Sequence, residues 1–157
     1  MAVKRSAGIL VFRFVSGEVE VLLGHMGGPY FARKDASAWS IPKGEYEQDE
    51  TAEAAARREF QEELGLPAPE GEYVPLGEVK QSGGKIVTIW AVAGELDPAL
   101  VDPGTFEMEW PPRSGTLQEF PEIDRVGWFD LETAAVKLGA GQRPFLGRLA
   151  EHLAIVS

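Results

Sequence analysis

Three glutamates crowd the second half of a predicted helix. They are Glu59, Glu62 and Glu63, within GEYEQDETAEAAARREFQEELGL, residues 44–66. Residues three and four apart on a helix are surface neighbours. With Glu50 at zero and about 100° per residue, Glu59 and Glu63 fall at roughly 180° and 220°, and Glu62 at roughly 120°. Ala52, Ala55 and Ala56 share that sector, Phe60 and Leu64 form an apolar flank, and Arg57, Arg58, Ala54 and Gln61 lie opposite. Carboxylates among small apolar residues sit where a packed neighbour is expected, not on a solvated face. Like charges at this spacing also repel. A hard divalent cation is the simplest compensation, because Mg²⁺ takes oxygen ligands from one or two carboxylates and from substrate phosphates. The alternative is an ordinary Glu-, Ala- and Arg-rich helix, supported by the pairs Glu53–Arg57 and Arg58–Glu62.

The residues before the helix favour chemistry. Trp39-Ser40-Ile41 is a short apolar run that ends in Pro42-Lys43-Gly44, six residues before a helix start near Glu50. Gly44 permits positive φ or close approach of backbone to a ligand. Lys43 places a point charge where a phosphate can sit beside a metal. The whole stretch resembles the Nudix signature. That signature runs Gly, five residues, Glu, seven residues, Arg-Glu, an aliphatic residue, any residue, Glu-Glu, any residue, Gly, and an aliphatic residue. Gly44, Glu50, Arg58-Glu59, Glu62-Glu63, Gly65 and Leu66 stand at the required positions. Phe60 departs from the usual Ile, Leu or Val but is still apolar and bulky.

The resemblance implies metal-dependent hydrolysis of a pyrophosphate bond in a nucleoside diphosphate linked to another moiety. It implies Mg²⁺, with Mn²⁺ as an alternative, held by Glu59, Glu62, Glu63 and the Gly44 carbonyl. Glu50 becomes a further partner of the metal site, and Arg58 orients a neighbouring carboxylate. The family carries its general base within the signature or on a later loop. Glu63, Glu119 and Glu122 are the candidates here, with Glu107 and Glu109 weaker ones. Lys43, Arg33 and Arg113 are the candidates for binding substrate. The Trp-x-x-Pro-Lys-Gly opening at 39–44 also occurs in dinucleoside-polyphosphate and diphosphoinositol hydrolases. Polyphosphate-bearing nucleotides are therefore the leading substrates, followed by nucleoside triphosphates. The competing reading is a Nudix-fold module that senses a nucleotide or a protein partner without catalysis.

Composition narrows the classes. The 157 residues are 44% apolar and 25% charged, the profile of a globular chain long enough for one domain over residues 1–157. A formal charge of −10 disfavours nucleic acid as a partner, since that requires a basic face. Cysteine is absent, which excludes disulfides, thiolate nucleophiles and thiolate zinc sites. His25 and His152 are too few for a histidine metal site, and His25 reads as structural. No apolar run approaches a membrane span. Arg13 interrupts the early apolar run, which argues against a signal peptide and for a cytoplasmic protein.

The remaining elements must position the signature. Residues 6–14 and 19–25 read as strands joined at Ser16-Gly17, and 73–81 with 85–93 as a second hairpin around Ser82-Gly83-Gly84. The second strand of that hairpin is central. Residues 26–38 form a loop in which Tyr30, Phe31, Arg33 and Lys34 either hold a base and a phosphate or decorate the surface. Residues 105–110 alternate as a strand, 111–115 form a loop, and 126–129 form a short last strand that follows Glu119 and Glu122. Residues 131–138 and 142–154 read as helices. Strands with a mid-chain helix and terminal helices predict an α/β class with a mixed sheet covered on both faces. This is similar to the Nudix-type α/β/α sandwich.

Overall fold

The computed structural model describes residues 3–156. In chain order the elements are β1 (Arg5–Val15), β2 (Glu18–Met26), β3 (Trp39–Ser40), β4 (Lys43–Tyr46), α1 (Ala52–Leu64), β5 (Val74–Lys80), β6 (Ile86–Ala93), β7 (Thr105–Glu109), β8 (Leu117–Pro121), β9 (Ile123–Asp130), α2 (Leu131–Lys137) and α3 (Pro144–Val156). Short 3₁₀ turns occupy Pro98–Leu100 and Ala140–Gln142.

β1 is apolar without alternation because both of its faces are covered. Ala7, Ile9 and Val11 pack with Leu22, Val92 and the buried side of α1. Leu10 and Phe12 point the other way, toward Leu138, Phe145 and Leu149 beneath α2 and α3. The result is a mixed sheet between helices, an α/β/α sandwich. Its strand order is β3-β2-β1-β6-β5, with β4 also on β1 and β9 also on β2. β1 and β6 run parallel, whereas β2 and β4 pair antiparallel with β1. β6 is central, as its continuous β-branched sequence predicts.

One edge of β1 serves two partners. Its second half pairs with β2 from Phe12↔Val21 onward, and its first half pairs with β4 from Arg5↔Tyr46 to Gly8↔Lys43. β3 stays with β2 while β4 crosses to β1, so Ile41 and Pro42 bridge a split in the sheet. This split places Ser40 and Lys43 at an opening above α1.

Four features correct or extend the sequence reading. The opening of the signature is a strand, β4. KGEY has little strand propensity, and pairing to β1 overrides it. Glu119 lies on β8, a strand paired with β7, and not on a loop; Pro121 at its end hides the strand in the sequence. The helix begins at Ala52, because Thr51 caps it by accepting the Ala54 N–H at 3.2 Å. Finally, Phe60 and Leu64 are fully buried at the centre of the helix–sheet contact.

Because Phe60 fills that contact, Phe60→Leu should cost about 1 kcal/mol and Phe60→Ala about 3–5 kcal/mol. Urea unfolding midpoints of the two variants and the parent check the ordering. Equal midpoints for parent and Phe60→Ala would contradict the packing.

Candidate active site

α1 lies on the sheet so that its carboxylates face β4. Gly44 lacks a side chain for a reason visible in the contact: a Cβ there would overlap the Glu59 carboxylate. The Glu59 side chain is accordingly only 13% exposed, whereas Glu62 is 56% exposed. The Lys43 backbone N–H donates to Glu63 Oε2 at 3.2 Å, tying the helix to β4 a second time.

Arg58 is placed on the far side of the helix by the helical projection, yet its long side chain reaches round to the carboxylates. Its Nε and Nη2 donate to the two oxygens of Glu50 at 2.8 Å each, a bidentate pair. Its Nη1 donates to Glu59 Oε1 at 2.8 Å and to both oxygens of Glu62 at 3.1 Å. The Glu50 contact and burial opposing it are the main influences on the guanidinium, and the net effect makes its charge more secure. In return Arg58 holds Glu50 below the usual carboxylate range.

The end of the helix positions Glu122. Gly65 adopts left-handed φ of 72° and donates to the Gln61 carbonyl at 2.8 Å, a glycine C-cap. Asp102 then donates its N–H to the Leu64 carbonyl at 2.8 Å, and Gly104 donates to the Glu62 carbonyl at 3.1 Å. Glu122 N–H donates to the Gly104 carbonyl at 2.8 Å. This chain of backbone bonds carries the short segment between β8 and β9 onto the last turn of α1.

A cavity of about 300 Å³ opens beside these groups. Lys43, Glu63, Glu122 and Ser40 form its polar side, and Met26, Phe31, Phe106 and Ile123 its apolar side. A hollow of about 610 Å³ between Arg5, Tyr46 and Asp49 is larger but holds none of the helix carboxylates. Size alone therefore does not identify the site; convergent, perturbed charges do.

Those charges are perturbed mainly by burial. Burial, the nearby Glu122 charge and Glu59 push Glu63 up to about 8 against the opposing Lys43 contacts. Burial raises Glu59 in spite of Arg58, and burial with Glu62 raises Glu122. Lys43 is lowered, first by burial and then by Lys85, against the pull of Glu63.

Of the residues singled out in the sequence, Lys43, Glu63 and Glu122 share the cavity, with Gly44, Glu59, Glu62 and Arg58 alongside. Arg33 is exposed on the loop between β2 and β3 and does not line it. Arg113 sits in the β7–β8 turn, with φ of 63° and its backbone N–H on Glu109 Oε1. Glu119 is exposed on β8 opposite Glu107. Met26, Ser40 and Phe106 are cavity residues that the sequence reading does not single out. The alternation of TFEMEW puts Phe106 on a face with Met108 and Trp110, a signal that is present in the sequence.

Among the described residues, no group of three or more carboxylates or imidazoles is arranged to hold a metal ion. Arg58 holds Glu59 and Glu62 instead. The donor chemistry still fits a hard divalent cation. Every donor is an oxygen, and burial raises Glu59 and Glu63, so their charged forms lack a fully compensating partner.

A raised carboxylate has a definite effect on stability. Between the usual value of 4.5 and about 8, folded protein retains a proton on Glu63 that the unfolded chain has released. Stability of the metal-free protein should therefore fall as pH rises through that window. Glu63→Gln keeps an acceptor for the Lys43 N–H and abolishes the titration. At pH 8 in chelator it should be more stable than the parent by about 1 kcal/mol or more, since one pKa unit is worth about 1.4 kcal/mol. Denaturation at pH 5 and pH 8 tests this; an identical pH slope in both proteins would refute it.

A family model for the NUDIX domain matches residues 3–149. No curated protein sequence matches the chain. Among solved structures, a binary complex of a C. elegans Ap4A hydrolase is 22% identical, with a TM-score of 0.66 over 97% of this chain and 98% of that one. The NUDIX domain of Shewanella oneidensis NrtR, complexed with ADP ribose, is 15% identical, with a TM-score of 0.62 over 98% and 90%. The M. smegmatis Nudix hydrolase RenU is 24% identical, with a TM-score of 0.59 over 97% and 86%. These likenesses carry the fold; the family model, over nearly the whole chain, carries membership, and the protein belongs to the Nudix family.

Proposed function

We propose that this chain is a divalent-metal-dependent pyrophosphohydrolase acting on a nucleoside diphosphate linked to another moiety. The observation that carries the reading is one cavity with an apolar wall for a base and a polar wall of Lys43, Glu63 and Glu122 next to the helix carboxylates. Dinucleoside polyphosphates are the leading substrates and nucleoside triphosphates the next, on the strength of the residues 39–44.

Glu59, Glu62, Glu63 and the Gly44 carbonyl would hold Mg²⁺ or Mn²⁺. Such an ion neutralises phosphate charge and lowers the pKa of a bound water. Lys43 meets phosphate oxygens as a point charge from the cavity wall. Glu122 takes the proton of the attacking water, because burial and the Glu62 charge make its carboxylate a stronger base than a solvated one. Arg58 sets the orientation of Glu59 and Glu62 through its hydrogen bonds. Phe31 and Phe106 offer aromatic surface to a nucleobase.

A second reading, a nucleotide-sensing module without turnover, draws on the hold of Arg58 over two carboxylates. Turnover separates the two. Nucleoside triphosphates, nucleotide sugars, dinucleoside polyphosphates and ADP-ribose are assayed with Mg²⁺, Mn²⁺ or excess chelator. Hydrolysis of at least one, abolished by chelator, is the expected result; saturable binding without hydrolysis favours the sensor. Glu122→Gln should lower kcat at least about a hundredfold, and Glu119→Gln, on the exposed ribbon, should be silent. The reverse pattern would transfer the base to Glu119.

A further inference from the structure

His25 is fully buried yet hydrogen-bonded at both ring nitrogens. Nε2 lies 2.6 Å from the Lys34 carbonyl oxygen, which can only accept, so Nε2 carries a proton. Nδ1 lies 2.8 Å from Asp124 Oδ1. The Asp124 side chain is 29% exposed. Two bare acceptors would repel at 2.8 Å, so one proton lies between Nδ1 and Oδ1.

The backbone around Asp124 is built for this contact. β2 and β9 pair regularly from Glu20↔Asp130 to His25↔Arg125, and then Met26 pairs with Ile123. Asp124 is the residue skipped, a β-bulge that turns its side chain onto His25. Two residues earlier stands Glu122, and Ile123 lines the cavity. On the other side, the Lys34 N–H donates to the Phe31 carbonyl at 3.0 Å, so holding Lys34 also holds Phe31.

We propose that His25 is a positioning residue: an imidazole strut, hydrogen-bonded at both ring nitrogens, that fixes the Phe31 wall of the cavity against the Glu122 wall. Trp39 packs against it edge-on at 5.3 Å. Asp35 accepts from the Trp39 indole and pairs with Lys137, while Arg125 and Lys137 lie over the Trp39 ring at 5.4 and 5.6 Å. Only for its kinetic consequence does the strut rest on the pyrophosphohydrolase reading.

His25 is too deeply buried for direct replacement to be informative, so the variants are made at Asp124. Asp124→Asn supplies a side-chain amide that can donate, which lets a neutral His25 accept at Nδ1 and still donate to Lys34. Asp124→Ala removes the partner. The full-length, metal-free protein is labelled with ¹⁵N, and the ring nitrogens of its two histidines are observed at pH 7.5. Nε2 of His25 should bear a proton in the parent and in Asp124→Asn alike. Asp124→Ala should shift the amide signals of residues 28–35 and of Glu122, and Asp124→Asn should restore them. A bare Nε2 in the parent, or unmoved amides in Asp124→Ala, overturns the strut. If a nucleotide is hydrolysed, Asp124→Ala should lower kcat/KM at least about tenfold, with Asp124→Asn within about threefold of the parent. Unchanged kinetics in Asp124→Ala overturns the positioning role, and equal losses in both variants overturn its geometric basis. Absence of any turnover defeats the hydrolase reading alone, and the ring nitrogens still decide the strut.

Discussion

The interaction on which the rest depends is the seating of a carboxylate-bearing helix on a sheet with one guanidinium among the charges. Packing α1 through Ala55, Ala56, Phe60 and Leu64 carries Glu59 and Glu63 out of solvent with them. Charges in a region of reduced dielectric repel more strongly than on an open surface. Arg58 meets three carboxylates at once, with bidentate geometry at Glu50. A partly exposed ion pair contributes little by itself. A network that leaves buried carboxylates unpaired when it is broken matters more. Arg58 reaches Glu50 and Glu62 but not Glu63, and Glu63 is the carboxylate driven furthest from its ordinary value.

Where the sequence encodes a pattern over many residues, it is legible. The apolar continuity of 6–14 and 85–93, the Ser16-Gly17 turn and the helical spacing of the glutamates all correspond to elements and faces present in the fold. Elements made by pairing alone are not legible. β3 and β4 are two and four residues long, with a proline between them, and exist because the split edge of β1 and the edge of β2 need partners. β8 carries two charged or amide residues and ends in proline, so it reads as a loop until β7 lies beside it. The same limit applies to the site. Helical angles place Arg58 opposite the carboxylates, because an angle describes a Cβ direction and not the reach of a long side chain.

The Glu122 side of the cavity is set by contacts between distant parts of the chain. Gly104 joins the end of α1 to Glu122, and Gly27 donates its N–H to the Glu122 carbonyl at 2.9 Å. Glu122 is thus held through its own backbone on both sides, with its carboxylate left for the cavity. Glu119 lies three residues away, paired with Glu107 in the ribbon. Both glutamates precede an apolar strand, and no local feature distinguishes them; the bonds from 27 and 104 do.

The acidic surplus of the chain opposes the approach of any polyphosphate, and Lys43 is a single charge partly desolvated at the cavity wall. Burial lowers Lys43 and raises Glu59, Glu63 and Glu122, so each group is driven toward its neutral form. On the proposed reading, a divalent cation reverses that tendency. A positive ion near Glu59 and Glu63 favours their charged forms, and its binding must displace the proton that burial leaves on Glu63. Glu122 shares the cavity with Glu63, and burial and the Glu62 charge raise its affinity for a proton. On that reading one source of strain, carboxylates taken out of water, supplies two different groups: those that a cation claims as ligands, and one that serves as a base.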